Sequence, residues 1–138
     1  MQCSSLVVIL TLALGAPVLR AQTSAPPDLP QVDLAEFSSV VREQIQEAYD
    51  AARANLRDAD ASGKVGMLLD LYKRRESAAV WYKRAHQLDP KAFRWLYYLG
   101  WLQSALGKRV EATTTLRAAL RLNPDYLPAR LKLADNVL

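Results

Sequence analysis

From Leu34 onward, apolar residues recur every three or four positions, the period of helices that each bury one face. Ahead of them lie an apolar run from Leu6 to Leu14, interrupted only by Thr11, and a proline-containing stretch from Gln22 to Gln31 with no helical period. The first periodic stripe is Phe37, Val40, Val41, Ile45, Ala48, Tyr49 and Ala52. Asp33 reads as its N-cap, and Glu36 three residues on completes a capping box, so a helix is predicted from Leu34 to about Asn55. Leu56-Arg57-Asp58 then makes the turn out of it.

The stripes that follow come in two copies at a spacing of 34 residues: Gly66 matches Gly100, Ala78 Ala112, Ala85 Ala119, Leu88 Leu122 and Pro90 Pro124. A period of this length belongs to helix–turn–helix solenoids, whose units bury their faces only by stacking on neighbours. The first unit, 59–92, has a helix from about Asp60 to Leu71, a Lys73-Arg74-Arg75 turn, and a helix from Glu76 to Leu88 ended by Asp89-Pro90. The second unit, 93–126, carries Leu96, Leu99, Gly100, Leu102 and Leu106 on its first helix. Gly107 makes its turn, and Val110, Ala112, Leu116, Ala119, Leu120 and Leu122 lie on its second helix. A mid-helix glycine costs roughly 1 kcal/mol against alanine. Its presence at the same place in both units predicts a close approach of the paired helices, with Ala78, Ala85, Ala112 and Ala119 as the small partners.

These residues resemble tetratricopeptide repeats. In the second unit Leu96, Leu99-Gly100, Gly107, Ala112, Leu116, Ala119, Leu122 and Pro124 follow the family pattern. In the first, Val65-Gly66, Leu69, Ala78, Tyr82, Ala85, Leu88 and Pro90 do so. At two of these positions, Leu96 early in the first helix and Leu69 later in it, leucine stands for the pattern's aromatic; Ser62 and Gln103 at the corresponding places, and Lys73 at the turn glycine, depart from it further. The resemblance implies an all-α fold, a right-handed solenoid of antiparallel helix hairpins. Segment 33–56 is then a capping half-repeat, and 127–138 is the first helix of a truncated third unit, with Asp125 as its cap and Pro128 in its first turn. Either the sequence continues beyond Leu138, or this helix docks on a partner or on another copy, which makes self-association an expectation.

The amino-terminal run resembles a secretory signal peptide, residues 1–21, cleaved after Ala21 and followed by a flexible proline-rich linker, 22–32. A short core helix and an uncleaved anchor are the alternatives, although the run falls short of the ~20 residues a membrane span needs. Cleavage removes Cys3, the sole cysteine, and leaves a thiol-free chain of 117 residues with an extracytoplasmic destination, periplasm or secreted. The 138-residue sequence has a net charge of +4, unevenly spread. Gln22 to Gly63 holds eight acids against three arginines, and Lys64 to Lys132 fourteen bases against five acids. A basic surface favours acidic peptides, anionic polysaccharide, anionic lipid or nucleic acid, with nucleic acid disfavoured by export; the alternative is a face that serves only solubility.

Catalytic chemistry finds few candidates. His86 is the only histidine and falls between Ala85 and Leu88, the place of a partly buried structural residue. No cluster offers transition-metal ligands at matched spacing, and no glycine-rich phosphate loop is present, so neither metal nor cofactor is expected. Binding is the better reading. In solenoids of this kind the first helices line the concave surface, which predicts a groove of Lys64, Met67, Asp70, Leu71, Arg94, Tyr97, Tyr98, Trp101, Ser104, Leu131, Lys132 and Asp135. Among these, Lys64, Met67, Arg94, Tyr97, Tyr98, Trp101 and Lys132 are the candidate partner-binding residues, because tyrosine, tryptophan and arginine dominate binding hot spots. Alternatively, Tyr98 or Trp101 packs under the neighbouring repeat. Family members that clamp a terminal carboxylate use Lys and Asn on these helices; Gly63, Met67 and Tyr98 stand at those places here, with Lys132 the single basic match. The expected partner is therefore an extended or helical peptide rather than a free carboxyl terminus.

Overall fold

The computed structural model describes residues 24–138, and the apolar stripes there become six helices joined by short polar turns, with no strand among the described residues. They are α1 (Ser39–Ala54), α2 (Ala59–Leu71), α3 (Arg75–Leu88), α4 (Phe93–Ala105), α5 (Arg109–Leu122) and α6 (Leu127–Val137). Connections this short make neighbours antiparallel. The tightest pairs are α2 with α3 and α4 with α5, and α4 also reaches α6 past the helix between them, so the hairpins stack into a helical solenoid. The expected signal peptide, 1–21, lies outside the described residues.

Small residues set the helix spacing, as the period predicts. A Cβ on Gly66 would lie 2.9 Å from the Tyr82 ring, and one on Gly100 would lie 2.8 Å from Leu116. Ala78, Ala85, Ala112 and Ala119 are fully buried along the same seams. A third close contact joins the two repeats: the indole of Trp95 covers Gly63 so closely that any side chain there would collide with it. Trp95 is buried and stacks on Tyr82, ring centroids 6.3 Å apart. The periodic reading passes over it, because Ala61 and Ala129 stand at the same place in the adjacent units.

Both hairpin turns close alike. Lys73 (φ 64°) and Gly107 (φ 76°) adopt the left-handed conformation. Lys73 N–H donates to Asp70 and Arg74 N–H to Leu69, while Gly107 donates to Ser104 and Lys108 to Gln103, which is the Schellman pattern twice. Lys73 thus occupies a glycine conformation, with the Cβ penalty that a glycine escapes. At the other end of α2, Asp58 accepts from Ala61 N–H at 2.9 Å, so this carboxylate caps the helix one residue before its first turn.

Three expectations need correction. The first helix begins at Ser39, not Leu34: Asp33 accepts from Ala35 N–H and closes an isolated turn, Glu36 pairs with Arg74, and Phe37 packs edge-on to Tyr72. These contacts hold residues 33–37 against the first hairpin and away from the α1 axis. Helix α6 is entered from Tyr126 with no side-chain cap, so Asp125 does not cap it. The proline-rich stretch, expected as a flexible linker over 22–32, lies against the hairpin as a strap with Leu29 and Val32, and Leu34 just after it, packed on the core.

Arg84 holds that strap. Only 2 % exposed, it donates to Ser62 Oγ, to the Leu56 carbonyl at 2.8 Å, and to the Pro27 and Asp28 carbonyls at 3.1 Å each. The Ser62 hydroxyl in turn donates to the Asp58 carbonyl at 3.0 Å. Burial lowers the guanidinium pKa from its ordinary value, yet arginine remains charged at any physiological pH. No carboxylate hydrogen-bonds it; the bonds are to neutral oxygens, which solvate the cation as water would. The polar pair Ser62–Arg84 thus stands where the repeat pattern has an aromatic.

Two stability measurements follow. Lys73→Gly should raise the urea midpoint, stabilising the fold by about 0.5–1 kcal/mol through relief of the left-handed lysine. Arg84→Lys should lower the midpoint, destabilising the fold by roughly 2–3 kcal/mol, because one ammonium cannot reach the carbonyls that the guanidinium fork serves.

Candidate partner-binding groove

Helix α4 carries an aromatic at every turn of one face: Phe93, Tyr97 and Trp101. Phe93 and Tyr97 stack with centroids 5.8 Å apart and planes within 9°. Tyr126, on the turn before α6, meets both edge-on at 4.8 and 5.0 Å. Burial pushes the Tyr97 hydroxyl pKa up, with the neighbouring Tyr126 adding to the shift. Trp101 ends the row, its centroid 6.2 Å from Tyr97 and its side chain open to solvent.

Two clefts flank Trp101. On one side it joins Leu127, Pro128, Leu131, Lys132 and Asp135 of α6 around about 290 Å³. On the other it meets the end of α2 and the turn at Lys73 and Arg75, around about 270 Å³. Lys132 Nζ lies 4.1 Å from the Trp101 centroid and 3.6 Å from an Asp135 carboxylate oxygen. The α4–α6 cleft is therefore apolar and aromatic, with the Lys132 ammonium already engaged, whereas Asp70, Lys73 and Arg75 make the other cleft polar.

The seven sequence-predicted residues separate. Tyr97, Trp101 and Lys132 share the α4–α6 groove. Tyr98 is half-buried and packs with Tyr82 and Trp95, centroids 5.6 and 6.1 Å away, so it supports the core. Arg94 lies over the Trp95 ring at 4.3 Å and forms an ion pair with Asp60 of α2. The two stand one repeat apart at the same helix position, which brings opposite charges together across stacked first helices. Lys64 and Met67 line a different cleft, between α1 and α2. Leu127, Leu131 and Tyr126 belong with Trp101; Leu127 and Tyr126 were missed because they sit at the entry to α6, where no complete repeat marks the groove side.

His86 is half-buried with Nδ1 enclosed and unpaired among the described residues. Burial lowers its pKa, and Asp89 opposes the shift. No group of three or more His, Cys, Asp or Glu among the described residues is placed to hold a metal ion, and no described helix is long and apolar enough to cross a membrane.

No protein-family model and no curated protein matches the chain. Solved structures do. A mutant of the Thermobaculum terrenum O-GlcNAc transferase superposes with a TM-score of 0.62 at 26 % identity, over 72 % of this chain and 19 % of that one. MamA superposes with a TM-score of 0.64 at 18 % identity, over 72 % of this chain and 64 % of that one. The matched regions of both are tetratricopeptide-type. The chain has the tetratricopeptide-repeat fold. It spans about a fifth of the length of the first neighbour and just under two thirds of the second, so neither whole protein's activity transfers with the fold.

The tetratricopeptide array places its tryptophans in two classes: Trp81 and Trp95 are 0 and 2 % exposed, and Trp101 is 44 % exposed. Acrylamide should quench one part of the emission readily, and Trp101→Phe should abolish that part while leaving the thermal melt unchanged within about 0.5 kcal/mol. An unchanged quenching curve would place Trp101 out of reach of solvent.

Proposed function

We propose that the chain is a non-catalytic, exported scaffold that binds a protein or peptide partner along the groove between α4 and α6. The observation that carries this reading is the solvent-open surface of Trp101, Leu127 and Leu131, backed by the half-buried Tyr97 and Tyr126, an apolar surface with no cover from the chain's described residues. Exposed apolar patches of this kind mark interaction sites, and rigid aromatics contribute contact area at little entropy cost. Repeat solenoids of this fold work as interaction scaffolds, which the two structural neighbours support for this chain. Export rests on the tripartite pattern of residues 1–21 and sets the compartment as periplasm or outside the cell.

Charge sharpens the partner. Arg94 is paired with Asp60 and Lys132 with Asp135, so the groove is close to neutral although the chain is basic. The partner then enters through apolar or aromatic anchors, and an acidic side chain contributes only by displacing Asp135 from Lys132. A second reading, a helper region within a longer protein, is favoured by one observation: the matched part of the transferase is a fifth of its chain.

Both readings share one test. Tyr97→Ala with Trp101→Ala should weaken capture of the partner at least tenfold, which is about 1.4 kcal/mol, and leave the helical circular dichroism intact. Raising salt from 0.1 to 0.5 M should change wild-type affinity by less than about threefold, as apolar anchoring requires. Full binding by the folded double variant would remove the groove assignment, and a steep salt dependence would return the partner to the acidic class.

A further inference from the structure

Each second helix of a complete repeat is covered by its own first helix at one kind of face. On α3 that face is Ala78, Tyr82 and Ala85, with Tyr82 against Gly66. On α5 it is Ala112, Leu116 and Ala119, with Leu116 against Gly100. Helix α1 packs on α2 as α3 packs on α4, which makes it a second helix too. The 34-residue period carries the covered face onto Gln44, Ala48 and Ala51.

Nothing in residues 24–38 covers them. That segment is tied to α3 and the α2–α3 turn, through Arg84 to Pro27 and Asp28, Arg74 to Glu36, and Tyr72 to Phe37, with the Tyr72 hydroxyl also donating to Gln44 Oε1 at 2.6 Å at the edge of this face. Gln44, Ala48 and Ala51, with Glu47, instead line an open cleft of about 570 Å³ whose far wall is Lys64, Met67 and Leu68. It is larger than the cleft of the α4–α6 groove and separate from it.

We propose that this cleft seats an amphipathic helix of a partner protein, lying where a first helix would lie. Two features define that helix. The size relation at the crossing is reversed: α3 and α5 bring Tyr82 and Leu116 against glycine, whereas α1 brings only the methyl of Ala48. The guest therefore carries a large apolar side chain where α2 and α4 carry Gly66 and Gly100. Charge defines the flank. Glu43 and Glu47 are exposed on the open side of α1 and form no ion pair among the described residues, so a lysine or arginine one turn from the apolar anchor completes the contact. Lys64 and Met67 are then binding residues of this second surface rather than of the aromatic groove.

The probe is a fluorescein-labelled synthetic peptide with the α2 sequence, Ala59–Leu71, carrying Asp70→Lys and Gly66→Leu, titrated against the full chain by anisotropy. It should bind saturably and about tenfold or more tighter than the same peptide with Gly66 retained, the difference expected for burying one leucine side chain. Ala51→Arg in the chain, at an exposed position that leaves the melt unchanged, should weaken the probe at least tenfold, and Glu47→Lys should weaken it several-fold at low salt. Trp101→Ala with Tyr97→Ala should leave it unaffected, which separates failure here from failure of the aromatic groove. Equal binding of the two peptides, or indifference to Ala51→Arg, overturns the proposal. So does a photo-crosslinker at position 51 that captures residues 1–23 of the same chain or a second copy.

Discussion

Helix-to-helix contact through small residues is the constraint on which this molecule depends. Gly66 under Tyr82 and Gly100 under Leu116 let each hairpin close, and Gly63 under Trp95 lets one hairpin stack on the next. Close-packed interiors leave no slack at such points, since added atoms displace a ring rather than fill a void. A neighbouring ring or branched side chain fills each space, so the glycine's cost to the helix is offset by packing on both sides. The orientation of α4 follows from this contact, and with it the direction in which its aromatic row points.

The amino-terminal part of the array is built on another principle. There Arg84 draws the strap, the α1–α2 turn and α2 together by giving its protons to carbonyls and a hydroxyl. A buried guanidinium surrounded by neutral acceptors is costly if any partner is missing, which makes the arrangement specific more than strong. It also determines where the strap cannot go. Held by Arg84, Arg74 and Tyr72, residues 24–38 do not line the cleft beside Lys64 and Met67.

Pairing of charges separates global composition from local chemistry. The chain is basic from Lys64 onward, yet the arginine and lysine nearest the aromatic row are both engaged by carboxylates. Exposed pairs of this sort contribute little to stability. Their effect is local: a carboxylate beside each cation reduces the positive field there. Trp101, Leu127 and Leu131 are left as the exposed apolar surface beside them.

The sequence alone determined the helical class, the period, and the seams at Gly66 and Gly100. All of these are repeated or periodic, so two copies report the same constraint and the signal survives irregular neighbours. Only the tertiary structure decided the single events: Trp95 over Gly63, Arg84 in the core, the start of α1 at Ser39, and the division of Lys64 and Met67 from the aromatic groove. Each occurs once, between residues distant in the chain, and none leaves a periodic trace. The Asp60–Arg94 pair lies between these cases. Its 34-residue spacing stands in the sequence, but its meaning needs two first helices brought side by side, because charge complementarity acts across space and periodicity records only position along the chain.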